Sequence, residues 1–242
     1  MLHAAARYMI RSVVLLGLLV AVVGGAWLAV DRLIIKADGP HDETVLVRIA
    51  PGDGHATIRW ELKRAGVIRD LYHYDAARIL AGTSFVPKEG EFEIPQRASL
   101  QTVMSIIHAG RSHQRRITVI EGVRSDEVAR LIANNENFSG KITVDIPEGS
   151  ILPETYFYTH GTKRDAILAR MQETRQISLI ESWSDRDDDL PFRSRDEALI
   201  LASIVELETG NSADRREVAG VFVNRLKRGM RLQSDPTVLY GV

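Results

Sequence analysis

Between Ser12 and Val30 the chain carries no charge and no strongly polar residue beyond Ser12 itself: SVVLLGLLVAVVGGAWLAV. About 20 such residues suffice to cross the hydrocarbon core of a bilayer as a helix. Arg7 and Arg11 precede the run and Asp31 follows at once. The positive-inside rule then places the N-terminus in the cytoplasm, although Arg32 and Lys36 weaken the asymmetry. Trp27 falls near the outer interface. A cleaved signal peptide is the rival reading, and the run is longer than a typical signal h-region, which favours a retained anchor. Everything past Lys36 is then extracytoplasmic, with ADGPHDE as the linker.

Beyond the linker the period changes. VLVRIAPGDGHATIRWELKRAGVI alternates at Val45, Val47 and Ile49, breaks at Pro51-Gly52 and resumes with helical spacing, which reads strand, turn, helix. FEIPQRASLQTVMSIIHAG repeats the plan, with Ser99 as helix cap and Gly110 as stop. RITVIEGVRSDEVARLIANNENF repeats it again, with Gly122 in the turn and Ser125 as cap. A further helix is expected from about Asp70 to Ala81, closed by Gly82, and another from Arg164 to about Ser182 with Ala166, Ile167, Met171 and Ile177 near one face. Short strands with helices on one face suit two-layer modules, so the class is α+β.

The richest stretch runs from Ser194 to Tyr240. Ser194 and Glu197 have capping-box spacing. The apolar residues Leu199 to Leu207 fall on every side of the helix that follows, which predicts burial all round. Glu206 and Glu208 sit near its end, ahead of a Gly210 able to serve as the C-terminal cap. A carboxylate there faces the negative end of the helix dipole and a desolvated setting, both of which favour its protonated form. Glu206 shares a stripe with Leu199, Ala202 and Ser203, whereas Glu208 lies roughly 200° away around the helix. The small residues leave room for a ligand beside Glu206. That makes Glu206 the candidate acid and Glu208 a surface residue.

These residues carry a resemblance. ASIVELETG followed by EVAGVFVNRLKRGMRLQSDPTVLYG resembles the YceG-like family of endolytic murein transglycosylases, without a gap. PEGSILPETYFYTHGT, an E-G segment leading into a P-[DE]-T-Y turn, looks like a second family block. The resemblance implies that Glu206 is the catalytic glutamate. It implies that Asn224, Gln233, Ser234, Asp235 and Tyr240 bind sugar, although for Asn224 a structural helix-to-loop hydrogen bond fits equally. Glu154 and Asp235 are the candidates for a second acid, each better read as positioning substrate. The implied chemistry uses one acid and no water: Glu206 protonates the glycosidic oxygen between N-acetylmuramic acid and N-acetylglucosamine, the substrate's acetamide stabilises the cation, and Glu206 takes the C6 hydroxyl proton to leave a 1,6-anhydro end.

The same resemblance divides the chain into 1–43 (tail, transmembrane helix, linker), 44–112 (a LysM-like subdomain, of a type associated with glycan binding, or equally a spacer) and 113–242 (an α-rich catalytic domain). The family domain continues past Val242, so the fragment is expected to be truncated at its C-terminal end and less stable or inactive alone. The implied partners are peptidoglycan glycan strands, the bacterial cytoplasmic (inner) membrane with the body of the protein in the periplasm, and peptidoglycan synthases of elongation or division. The implied role is to terminate nascent strands. A non-catalytic peptidoglycan tether and a hydrolytic muramidase are the alternatives.

Composition narrows the field without changing that picture. A net charge of -1 leaves no dominant basic field, which argues against a nucleic-acid partner. There is no cysteine, hence no disulfide and no thiolate metal site. Asp185, Asp187, Asp188 and Asp189 lack the glycine and distal glutamate of an EF-hand loop and read as surface charge. No phosphate loop, H-E-x-x-H or histidine pair is present, so neither metal nor cofactor is expected.

Overall fold

The computed structural model describes residues 2–82, 85–235 and 237, with the backbone alone for 2–12. Tyr240 therefore lies outside the described residues. The chain divides into two compact units, 1–113 and 114–242.

In the first unit a helix, α1 (Leu2–Val30), runs into a single π-helical turn over Asp31–Ile35. Residues 13–35 form one helix long and apolar enough to cross a membrane, with mean hydropathy 2.6. The turn ends on Lys36, whose ammonium pairs with Asp31 at 2.6 Å. Ile35 then enters the unit's core. Strands β1 (Val45–Ile49) and β2 (Gly90–Ile94) pair antiparallel, Val47 opposite Phe92. Period-2 alternation puts Val47 and Ile49 inside while Leu46 faces out. Helices α2 (His55–Arg64) and α3 (Leu71–Ala81) connect the strands, and α4 (Leu100–Ala109) follows. Ser99 caps α4 by accepting from the Thr102 N–H, and Gly110 ends it in the left-handed conformation, both as the sequence predicts. Ile58, Leu62, Phe92 and Ile107 are fully buried, and each such side chain contributes roughly 1.5–3 kcal/mol. Burial also pushes the Tyr74 hydroxyl up to about 12. It remains protonated beside His55, 2.8 Å away.

The second unit begins with β3 (Arg115–Thr118), which pairs antiparallel with β4 (Thr155–Tyr158). The ETYFY block is thus a strand rather than a turn: Tyr156 and Tyr158 point inward and Phe157 outward, the alternation of a half-buried edge. Between them lies α5 (Ser125–Asn134), and after them come α6 (Arg164–Ser184), α7 (Arg195–Glu208) and α8 (Arg215–Lys227). Val128, Ile132, Phe138, Ile167, Leu168 and Met171 close the main core, while Leu201, Ile204, Val205 and Phe222 make a smaller one.

Three local expectations are corrected. Ser125 is not the cap of α5: it is the first helical residue, buried, with its hydroxyl donating to the Pro147 carbonyl. The Glu148 carboxylate does the capping from a distant loop, accepting from the Ser125 N–H at 3.1 Å. Gly210 does not close α7; Thr209 does so in an extended conformation, and an Asn211 side chain organises the turn by accepting from the Ala213 N–H. On α6 the buried face is Ile167, Leu168 and Met171, with Ala166 and Ile177 exposed.

At the start of α6, Asp165 accepts from the Thr143 hydroxyl at 2.5 Å and from the Thr143 N–H at 2.8 Å. The Thr143 hydroxyl, then the Thr143 amide, hold this carboxyl below its ordinary 3.8. A lowered folded-state value means that the stabilisation is complete above 3.8 and is lost as pH falls through the lower value. Asp165→Asn is therefore expected to melt below wild type near neutral pH, with the gap closing in acid below 3.8. A gap that stays constant over that range, measured by parallel thermal melts, would sink this account.

Candidate active site

Helix α7 has two working faces, and that is why its apolar residues surround it. Leu201, Ile204 and Val205 pack into the small core with Phe222 of α8. Leu199, Ser203, Glu206 and Leu207 instead line an open cavity of about 550 Å³. The expectation of burial all round is thus corrected: Ile200 is 48% exposed and Leu207 47%. The opposite wall comes from the segment after β3, residues 119–128, and from the loop 148–153. Both contain a Glu-Gly pair, Glu121-Gly122 and Glu148-Gly149, and both glycines hold positive φ, 77° and 70°. A Cβ at Gly149 would stand 3.3 Å from the Leu199 side chain, a closeness that the wall's approach to α7 requires. Tyr156 fastens the loop by donating its hydroxyl to the Leu152 carbonyl at 2.8 Å. Burial, then the Glu154 charge, raise that hydroxyl to about 12, so it remains a donor.

Glu206 lies in the last turn of α7, with its side chain 26% exposed. Arg215, the first residue of α8, donates from Nη2 to Glu206 Oε1 at 2.7 Å. The turn at Asn211 reverses the chain and brings these two residues together. Burial and the helix dipole alone do not point to Arg215; its signal in the sequence is an arginine at the start of the next helix.

The remaining carboxylates fall into place unevenly. Glu208 is exposed on the other side of α7 and accepts from the Ser234 hydroxyl at 2.6 Å. That hydroxyl belongs to a candidate sugar binder, but Ser234 is only 6% exposed. Asn224, Gln233, Asp235 and Glu154 are exposed, and none is among the residues that line the cavity. Glu154 takes part through its backbone, accepting from the Val119 N–H at 3.0 Å. Within the cavity are carboxylates that sequence reading passed over: Glu121, Glu127 and Glu148. The repeated Glu-Gly pair was the available sign of two of them. Arg175 of α6 also lines the cavity and was likewise missed. Among the described residues no group of acids and histidines is placed to hold a metal ion.

The cavity thus sets the apolar side chains of Leu199 and Leu207 beside the Arg215-paired carboxylate of Glu206, with Glu121, Glu127 and Glu148 elsewhere in its lining. The description "YceG-like family" belongs to the family model that matches residues 47–242. A protein of Bacillus subtilis (strain 168) named endolytic murein transglycosylase is 27% identical over 252 residues, which covers 90% of this chain and 69% of that one. One of the same name from Streptococcus pneumoniae is 35% identical over 94 residues, covering 38% of this chain and 16% of its own length. A crystal structure of a YceG-like protein from Listeria monocytogenes superposes with a TM-score of 0.40 at 21% identity, over 82% of this chain and 75% of that one.

Proposed function

The chain belongs to the YceG-like family, and from that premise we propose that it is a membrane-anchored endolytic lytic transglycosylase of peptidoglycan. The relatives' names support the cleavage of murein. The observation that carries the reading to this chain is the placement of Glu206 in a cavity of about 550 Å³. In the proposed reaction the Glu206 proton passes to the glycosidic oxygen as the bond from C1 of N-acetylmuramic acid to N-acetylglucosamine breaks. The substrate's acetamide stabilises the cation. The Glu206 carboxylate then takes the C6 hydroxyl proton while O6 closes on C1, which restores the acid and consumes no water. Arg215 holds Oε1, which leaves Oε2 to carry the transferable proton.

The apolar helix supports an anchor with the body of the protein in the periplasm. A signal sequence passes the same test of length and composition, and the extent of the apolar run beyond a typical signal h-region is what favours a retained anchor. The strand–helix–helix–strand order of residues 45–94 supports a LysM-like glycan-binding module within 44–112, ahead of a catalytic part over 113–242. Asn224, Gln233 and Asp235 are retained as contacts for sugars beyond the cavity on the strength of the family motif. Action on nascent strands beside peptidoglycan synthases follows as the proposed setting.

Glu121, Glu127 and Glu148 in the same cavity favour a second reading, hydrolysis with a second carboxylate activating water. Mass spectrometry of digested glycan strands separates the two. The expected products are 1,6-anhydro ends, lighter by one water than reducing ends. Reducing ends would make the protein a muramidase, and binding without cleavage would make it a tether.

A further inference from the structure

A second cavity of about 380 Å³ lies in the same unit, between the second half of α6 and the start of α7. We infer that it is a subsite for a carboxylate carried by the peptide of the substrate, held by Arg175, Arg193 and Arg195. The inference deepens the proposed action on peptidoglycan and rests on it.

Three guanidiniums line this cavity against one carboxylate, Asp196. Among the described residues none of the three side chains is drawn into a hydrogen bond or ion pair, and the Nε of Arg175 is buried with no acceptor at all. Cations that line a cavity without a partner in the chain are open to pairing with an anion from outside it. A guanidinium is a planar fork that matches a carboxylate with two parallel hydrogen bonds. Trp183 also lines the cavity, but Arg186 already lies over its ring at 3.9 Å. That face is therefore occupied by a cation and is not a stacking platform for sugar. The stacked Arg186 also adds to the positive charge beside the cavity.

Arg175 lines both this cavity and the one that holds Glu206. Arg195 and Glu206 stand near opposite ends of α7, about 16 Å apart along its axis at ~1.5 Å per residue. An extended peptide of roughly five residues covers that distance at ~3.3 Å each. In peptidoglycan the sugars are neutral once the muramic lactyl group is amidated, so the anions of the polymer sit on its peptides. A peptide leaving the sugar beside Glu206 and running along α7 would bring a carboxylate to the three arginines.

The test uses the full chain in detergent, with Glu206→Gln to prevent turnover, and calorimetry with two glycan fragments of equal length. One bears its peptides and the other has been stripped by an amidase. The peptide-bearing fragment is expected to bind about 10- to 100-fold more tightly, as one or two charge-assisted hydrogen bonds would give. Arg193→Gln combined with Arg195→Gln should erase that ratio; both residues are exposed, so the fold is not at stake. Equal binding of the two fragments, or a ratio that survives the double substitution, would overturn the inference. So would a preference shown only by a fragment tipped with a diphosphate, because the anion would then be a phosphate. If the preference is found but the wild type yields no cleaved glycan, the subsite stands and the catalytic reading fails.

Discussion

Glu206→Gln is expected to abolish 1,6-anhydro products, a loss of at least about 100- to 10,000-fold in turnover. The amide keeps the shape and a hydrogen-bonding atom but has no proton to give and cannot take one back. Both halves of the proposed reaction therefore fail together. Glu208→Gln should cost little, because Glu208 is exposed and spends Oε2 on the Ser234 hydroxyl rather than on the cavity. The stability of Glu206→Gln is a second readout. The variant gives up an ion pair whose partners are 40% and 26% exposed, and such pairs contribute about 0–1 kcal/mol. A melting temperature slightly below wild type is expected, rather than the gain that relief of a strained buried acid would bring. Near-normal turnover by Glu206→Gln, measured as anhydro ends released per minute from purified strands, would remove Glu206 from the reaction. A dead Glu208→Gln beside an active Glu206→Gln would move the chemistry to the other face of α7.

Much of the fold was legible because its signals are local. Val45, Val47 and Ile49 alternate, Ser99 and Ser194 stand where caps belong, and Gly82, Gly110 and Gly122 mark the turns, so β1, α3, α4 and α7 emerge close to their observed bounds. What escaped depends on residues distant in sequence. Glu148 caps α5 from a loop, and no window around Ser125 contains it. Arg215 reaches Glu206 only after the chain reverses. The apolar residues of α7 look alike in sequence, yet Leu201 faces a core while Leu199 and Leu207 face a cavity wall. The cavity itself is built from segments more than 70 residues apart in the chain, from Val119 to Leu207. Its carboxylates could be found by composition but not assembled by it. The sugar contacts implied by the family motif run from Asn224 within α8 to Tyr240 beyond it, and the described ones, Asn224, Gln233, Ser234 and Asp235, lie outside the cavity lining.

Arg164→Ala is expected to be among the most destabilising exposed-to-half-buried substitutions in the second unit, by about 2–4 kcal/mol. The reason is how α5 ends. Asn135 closes it in an extended conformation, so no capping N–H answers the last carbonyls of the helix. The Arg164 guanidinium answers them instead, donating to the carbonyls of Ile132, Ala133 and Asn135, and also to that of Gly140 at 2.7 Å. A cation at this end also complements the helix dipole. The discount from four full charge-assisted bonds reflects the half-exposure of the site, where water can replace part of what is lost. For a unit of this size the loss corresponds to a fall of roughly 10 °C in melting temperature. Arg164→Lys should recover only a minor part, since an ammonium is a point charge and cannot span four carbonyls. The far end of α5 supplies Ser125, Glu127 and Val128 to the Glu206 cavity, so its loosening should also raise the KM for glycan while the substituted protein is still folded. Hydrogen exchange at the α5 amides is the direct measurement: faster exchange is expected in Arg164→Ala, first in the last turn. Unchanged exchange and a melting temperature equal to wild type would show that water caps this helix as well as the arginine does.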